Sequence, residues 1–337
     1  MKKTAVIFSM ALLMLAALSS FQAQAADNVQ VLVWTANGGY HVEVKAFKGN
    51  ATDWGYDILT QETGLVAADL EGIDILIVNA PDYVLTAEVD VIDTWFSAES
   101  DRGLWIVGES DYGGYWYPHG LNATHVGVND IVMAVGGHIF IQDDAVNDEV
   151  MNDGSGYRVV ASVPNLENSP AKTIMKGVEN VSMHGPANVV AYSSYTGTGK
   201  NVTGVMDAEF DDIENCDWLI KTSPTGAVAD QDFDDDAFWE GYAIGVNMSI
   251  PMAAIEWDLT ESKNKLVATG ESMFADYKNM FDVATRYRNN TALQNPEMTH
   301  NILDWFSGKL GAGAPGFEVM TAFIALAIIP AVARRRK

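Results

Sequence analysis

Three stretches in the first third of the chain are apolar almost throughout: residues 29–34 (VQVLVW), 72–81 (GIDILIVNAP) and 104–107 (LWIV). Short apolar runs without polar alternation fit strands that are covered on both faces, as in a parallel sheet. Between the second and third runs, Val89, Ile92 and Phe96 recur at helical spacing over 85–100. Thr86 stands where an N-cap belongs, with Glu88 and Asp90 in the first turn. Residues 119–137 can form another helix, ended by Gly136 and Gly137. Strand–helix–strand alternation implies right-handed crossovers and an α/β fold with a doubly wound, mostly parallel sheet.

The second half reads as more β-rich, with strands expected at 187–195, 217–223, 242–257 and 264–272. A last helix is well marked: Asn295 caps it, Pro296 takes its first position, and Gly308 stops it. Met298, Ile302, Trp305 and Phe306 share its apolar face. Ligands of doubly wound sheets gather at the carboxyl ends of the strands. That edge should hold Ser110, Asn37-Gly38-Gly39 and Asn79-Ala80-Pro81.

The two ends of the chain bear on its address. Lys2 and Lys3, an apolar run to about Leu18 and the small-residue pattern Ala23-Gln24-Ala25 form a secretory signal peptide over residues 1–25. One α/β domain then spans 26–308, followed by a Gly/Ala linker at 309–314 and a hydrophobic segment with a basic tail at 315–337. The run from Val319 to Ala333, stopped by Arg334-Arg335-Arg336-Lys337, is a short transmembrane helix with its cations on the cytoplasmic side. These readings expect a chain on the outer face of the cytoplasmic membrane, exposed at the cell surface.

Charge narrows the partners. The chain holds 20 Lys and Arg against 45 Asp and Glu, a net −25. Loss of the leader and of 318–337 removes six positive charges and one negative, leaving about −30. Such a surface repels nucleic acid, which is excluded as a partner. Six Asn-x-Ser/Thr sequons, at Asn50, Asn122, Asn180, Asn201, Asn247 and Asn289, are glycosylation candidates and belong on exposed turns if used.

Candidate chemistry is sparse. Ser110 lies in a Gly-Glu-Ser turn after an apolar run, and Gly270-Glu271-Ser272 repeats the tripeptide at another strand end. A nucleophilic Ser110 would need a base, drawn from His41, His119, His125, His138, His184 and His300. Asp111 and Tyr112 depart from a Gly-x-Ser-x-Gly elbow, and both serines read more simply as capping the turns that leave their strands. Cys216, the single cysteine, is either a nucleophile or an ordinary buried thiol, and permits no internal disulfide. Asp230, Asp232, Asp234 and Asp236 are spaced for weak Ca²⁺ binding or form a solvated acidic loop, and no other cofactor is implied. Tyr112, Tyr115, Trp116 and Tyr117 would stack on a glycan, anchor a protein partner, or lid the sheet as core.

Two resemblances attach to these residues. Pro315-Gly316-Phe317, then a hydrophobic helix and an Arg-rich tail, resembles the archaeal PGF-type C-terminal sorting signal. That resemblance implies cleavage by an archaeosortase and attachment to a membrane lipid; an uncleaved anchor is the alternative. The segments GIDILIVNAP, VIDTWFSAESDRGLWIVGESD, CDWLIKTSPTG, NKLVATGESMFADY and HNILDWFSG resemble a non-catalytic branch of the class I glutamine amidotransferase-like proteins. That branch includes domains of gliding-motility ABC-transporter subunits and of intraflagellar-transport proteins. Where it has Gly-Asp-Ser-Asp, this chain has Gly270-Glu271-Ser272. The resemblance implies a flavodoxin-like sheet used for binding or assembly. A non-catalytic binding or scaffold protein is therefore expected, with a surface hydrolase or amidase using Ser110 and a solute-binding receptor as alternatives.

Overall fold

The computed structural model describes residues 28–37, 44–111, 124–167, 170–196, 203–207, 210–231, 242–259, 262–276 and 293–310. The first half contributes β1 (Val29–Trp34), α1 (Lys45–Asp53), β2 (Tyr56–Gln61), β3 (Ile75–Asn79), α2 (Thr86–Ala98), β4 (Gly103–Val107) and α3 (Thr124–Ala134). Then come the short strands β5 (Ile139–Ile141), β6 (Ala145–Asp148), β7 (Val160–Ala161) and β8 (Val163–Pro164), the single turn α4 (Ala171–Ile174) and β9 (Val181–Ser182). The remainder is β10 (Val189–Thr196), β11 (Thr203–Met206), β12 (Cys216–Lys221), β13 (Gly226–Ala229), β14 (Pro251–Leu259), β15 (Asn264–Thr269) and α5 (Asn295–Phe306).

Eight strands make one sheet in the order β2-β1-β3-β4-β15-β14-β12-β8. The first five are parallel neighbours, and β14, β12 and β8 extend the sheet antiparallel. The expected mostly parallel, doubly wound sheet is present, and alternation along β4 shows why both faces are apolar. Gly103 and Trp105 point to one face, where Phe306 of α5 packs where a Gly103 Cβ would stand and Phe274 meets Trp105 edge-on at 5.0 Å. Phe47 of α1 joins Phe274 at 4.9 Å. On the opposite face Leu266, the register partner of Leu104, meets Gly137 at the end of α3.

Between α3 and β12 the chain inserts small antiparallel sheets, β11-β10-β5, β13-β6 and β7-β9, the second closed by β13 from later in the chain. They take the place of a further regular βαβ crossover and cover the carboxyl ends of β4 and β15.

Several local expectations are corrected. Thr86 opens α2 rather than capping it; Leu85 holds the cap position, and Glu88 reaches back to accept the Leu85 N–H at 2.8 Å. Asn295 lies inside α5, behind Gln294, and its buried amide binds Ser182 N and O and Met273 O. The strand expected from 242 begins only at Pro251, because residues 243–246 form a turn around Gly245, at φ +72°. Gly136 and Gly308 do end their helices with positive φ.

Candidate functional site at the strand ends

The two Gly-Glu-Ser turns are neighbours. β4 and β15 pair in parallel with Val107 opposite Thr269, so each strand runs directly into its own copy of the tripeptide. Gly108 N donates to Thr269 O at 2.8 Å, and Gly270 N to Met252 O at 3.0 Å. β3 lies on the other side of β4 and ends at Asn79. Ser272 Oγ donates to Asn79 Oδ1 at 2.8 Å, tying β15 to β3 across the end of β4.

Both glycines are required by close approach. A Cβ on Gly108 would lie 2.4 Å from Ile141 Cγ2, and one on Gly270 would lie 1.9 Å from Ala187 O. The inserted region is therefore pressed onto the strand ends, with Ala187 N donating back to Gly270 O at 3.0 Å. Ser110 is 2% exposed, while Asn79, Glu271 and Ser272 have no exposed surface. Glu271 Oε2 accepts the backbone N–H of His184 at 3.0 Å, another clamp from the insertion. Asp111 Oδ2 accepts the N–H of Gln231 at 2.7 Å, which moors the start of the acidic loop beside the Ser110 turn.

The expected edge residues are thus brought together, Asn37 included. Its amide donates to Glu88 Oε2 at 2.8 Å and to Tyr83 O at 3.1 Å. Glu88 also receives Leu65 N at 3.2 Å, so one buried carboxylate joins three loops. Gly38 and Gly39 lie outside the described residues.

The histidines divide by neighbour. A Cβ built on Gly185 would stand 3.8 Å from Ser110 Oγ, which brings the chain next to His184 up to that serine. The His184 ring packs edge-on against Tyr157 at 5.1 Å. His138 Nδ1 is 2.7 Å from Glu256 Oε1, and His300 stacks on Trp54 at 4.4 Å. Cys216 sits in β12 opposite Glu256, buried, and burial pushes its thiol well above the ordinary value. A thiol so placed is not a ready thiolate.

Of the Ca²⁺ candidates only Asp230 is described, half-buried, and among the described residues no group of His, Cys, Asp and Glu is arranged to hold a metal ion. Asp232, Asp234 and Asp236, the aromatic group Tyr112, Tyr115, Trp116 and Tyr117, and the sorting residues Pro315, Gly316 and Phe317 lie outside the described residues. So do Asn122, Asn201 and Asn289. Asn247 is exposed beside the Gly245 turn. Asn180 is buried, and Asn50 lies within α1 with its amide bound to Ala46 O at 2.9 Å, so neither stands on an exposed turn. Among the described residues no helix is long and apolar enough to cross a membrane, and the span from Val319 lies outside them.

A mostly parallel sheet helical on both faces, with its candidate residues at the carboxyl edge, defines a mixed α/β protein with a doubly wound sheet. Among solved structures it is similar to the mmIFT52 N-terminal domain, at 12% identity over 82% of this chain and 96% of that one, with a TM-score of 0.54. A ThuA-like protein from Bacteroides uniformis aligns at 13% identity over 87% of this chain and 98% of that one, TM-score 0.40. A glutamine amidotransferase from Thermotoga maritima aligns at 9% identity over 83% and 98%, TM-score 0.36. No protein-family model and no curated protein matches the sequence.

Proposed function

We propose that this protein is a non-catalytic binding or scaffold module, exported and held at the outer face of the cytoplasmic membrane through its C-terminal segment. The observation that carries the reading is the closed strand-end edge. Nucleophilic chemistry in an α/β fold of this kind needs an exposed group on the turn after a strand, beside room for a substrate. Here the insertion presses on that turn, with Ala187 backbone against Gly270 and Ile141 against Gly108. The resemblance to the non-catalytic amidotransferase-like branch agrees with this, and the leader and sorting segment supply the address. A lipid and an archaeosortase are the partners proposed for the C-terminal segment.

The approach of the His184 segment to Ser110 favours a rival reading, a serine hydrolase or amidase. Purified protein assayed on p-nitrophenyl esters and on glutamine is expected to show no turnover above background, with Ser110→Ala identical. Turnover that disappears in Ser110→Ala would overturn the non-catalytic reading. For the address, the native protein should partition with membranes and Phe317→Ala should leave the C-terminal segment uncleaved. A native chain whose mass retains residues 315–337 would replace processing by a plain anchor.

A further inference from the structure

Beside the closed edge, the hairpin joining β6 to β7 forms a polar depression of about 440 Å³ together with Gln231. Its frame is rigid. Asp148, fully buried, accepts Val150 N at 2.9 Å and Met151 N at 2.8 Å, and also the hydroxyls of Ser223 at 2.6 Å and Thr225 at 2.8 Å. Asn152 spends its amide on the turn, donating to Asp148 O at 2.7 Å and accepting Gly154 N at 3.1 Å. The Gln231 end is held by Asp111, and the Tyr157 backbone by Gly185 N at 2.6 Å. A wall built this way loses little conformational freedom when a ligand arrives.

Apart from Asn152, the polar side chains that face this concavity are uncommitted among the described residues. The side-chain polar groups of Asn147, Glu149, Ser155 and Gln231, and the Tyr157 hydroxyl, form no hydrogen bond with any described residue. Glu149 lies along the backbone of Gly156, where an added Cβ would fall 2.2 Å from its Oε1. Tyr157 stays 43% exposed although His184 meets its ring edge-on and the Arg158 guanidinium lies 5.9 Å from its centre.

We propose that this depression binds a neutral saccharide, an inference that rests on the binding-module reading. The lining selects the class by elimination. Among the described residues the lining has no Lys, Arg or His; the Arg158 guanidinium stands near it at the Tyr157 ring, but the chain carries −25, which disfavours phosphates and carboxylates. One free carboxylate is too few for a hard cation that wants six to eight oxygens, and Asp148 has already filled both of its own. A mainly polar wall does not suit an apolar ligand. A sugar hydroxyl both donates and accepts, and so do the Asn147 and Gln231 amides and the Ser155 and Tyr157 hydroxyls. Glu149 accepts from a further hydroxyl, and the exposed Tyr157 ring offers a surface for the C–H face of a pyranose.

Saturation-transfer NMR and calorimetry on the native protein would use glucose, galactose, mannose, N-acetylglucosamine, maltose and cellobiose, with glucuronate, glucose 6-phosphate and CaCl2 as charged comparators. At least one neutral sugar should bind with Kd of about 1 mM or below. Its affinity should fall about tenfold or more in Tyr157→Ala and in Asn147→Ala/Gln231→Ala, both with unchanged circular dichroism. The site is overturned if no neutral sugar binds at about 20 mM, if binding is the same in both variants, or if only a charged comparator binds. These failures are separable from failure of the parent reading, which shows as Ser110-dependent turnover.

Discussion

Gly108 and Gly270 look alike in the sequence and face different neighbours in the fold. A methyl group on Gly270 would meet the backbone oxygen of Ala187 at 1.9 Å, and a backbone segment cannot swing aside. Gly270→Ala should therefore destabilise by about 3 kcal/mol, as overpacking against an unyielding neighbour does. Gly108→Ala meets the Ile141 side chain, which can change rotamer, and should cost about half as much. Urea denaturation of the two variants checks the order, and equal losses would contradict it. Ser272→Ala removes the buried hydroxyl that donates to Asn79 Oδ1 and should cost about 1–2 kcal/mol in the same assay. The serines of both turns were visible in the sequence as strand-end residues. That Ser272 serves β3 could not be read there, because its acceptor belongs to a strand far away in the chain.

α1 shows why some helices escape sequence patterning. Val44 stands at its cap position without a capping side chain, and the helix has no acidic residue in its first turn. The missing acceptor comes from Asp276, whose two oxygens take Lys45 N and Ala46 N at 2.9 Å each, the former from 231 positions away. Asp276→Ala should cost about 1–2 kcal/mol and raise amide exchange selectively in α1. Uniform exchange across the sheet helices would refute a local cap. β5 and β14 share a second long-range tie, His138 on Glu256, with the imidazole pKa raised first by that hydrogen bond, against an opposing effect of burial. A raised folded value means that the pair's contribution is complete below the ordinary 6.5 and fades as pH climbs through the folded value. The denaturation midpoint should accordingly fall as pH rises above the ordinary 6.5, and His138→Gln should flatten that slope. A native slope unchanged by the substitution would remove the pair from the pH response.

Across the molecule, the acidic excess, a net −25 over the full chain, works against compactness. Raising NaCl from about 0.02 M to 0.5 M should increase the melting temperature by screening that self-repulsion; a fall would mean that attractive pairs dominate. Apolar runs of strand length and the helical patterns over 85–100 and 295–308 were enough to define an α/β fold with a parallel sheet. Those signals are local: burial on both faces writes itself into consecutive residues, and Gly136 and Gly308 mark helix ends by their own backbone freedom. The placing of β15 beside β4, which turns a repeated tripeptide into one structure, depends on pairing between distant segments. So does the closure of the edge, since a glycine records that something approaches without recording what. The depression around Asn147 and Tyr157 was also silent in the sequence, because its residues are ordinary loop polar groups until Asp148 and Asp111 hold them against one another.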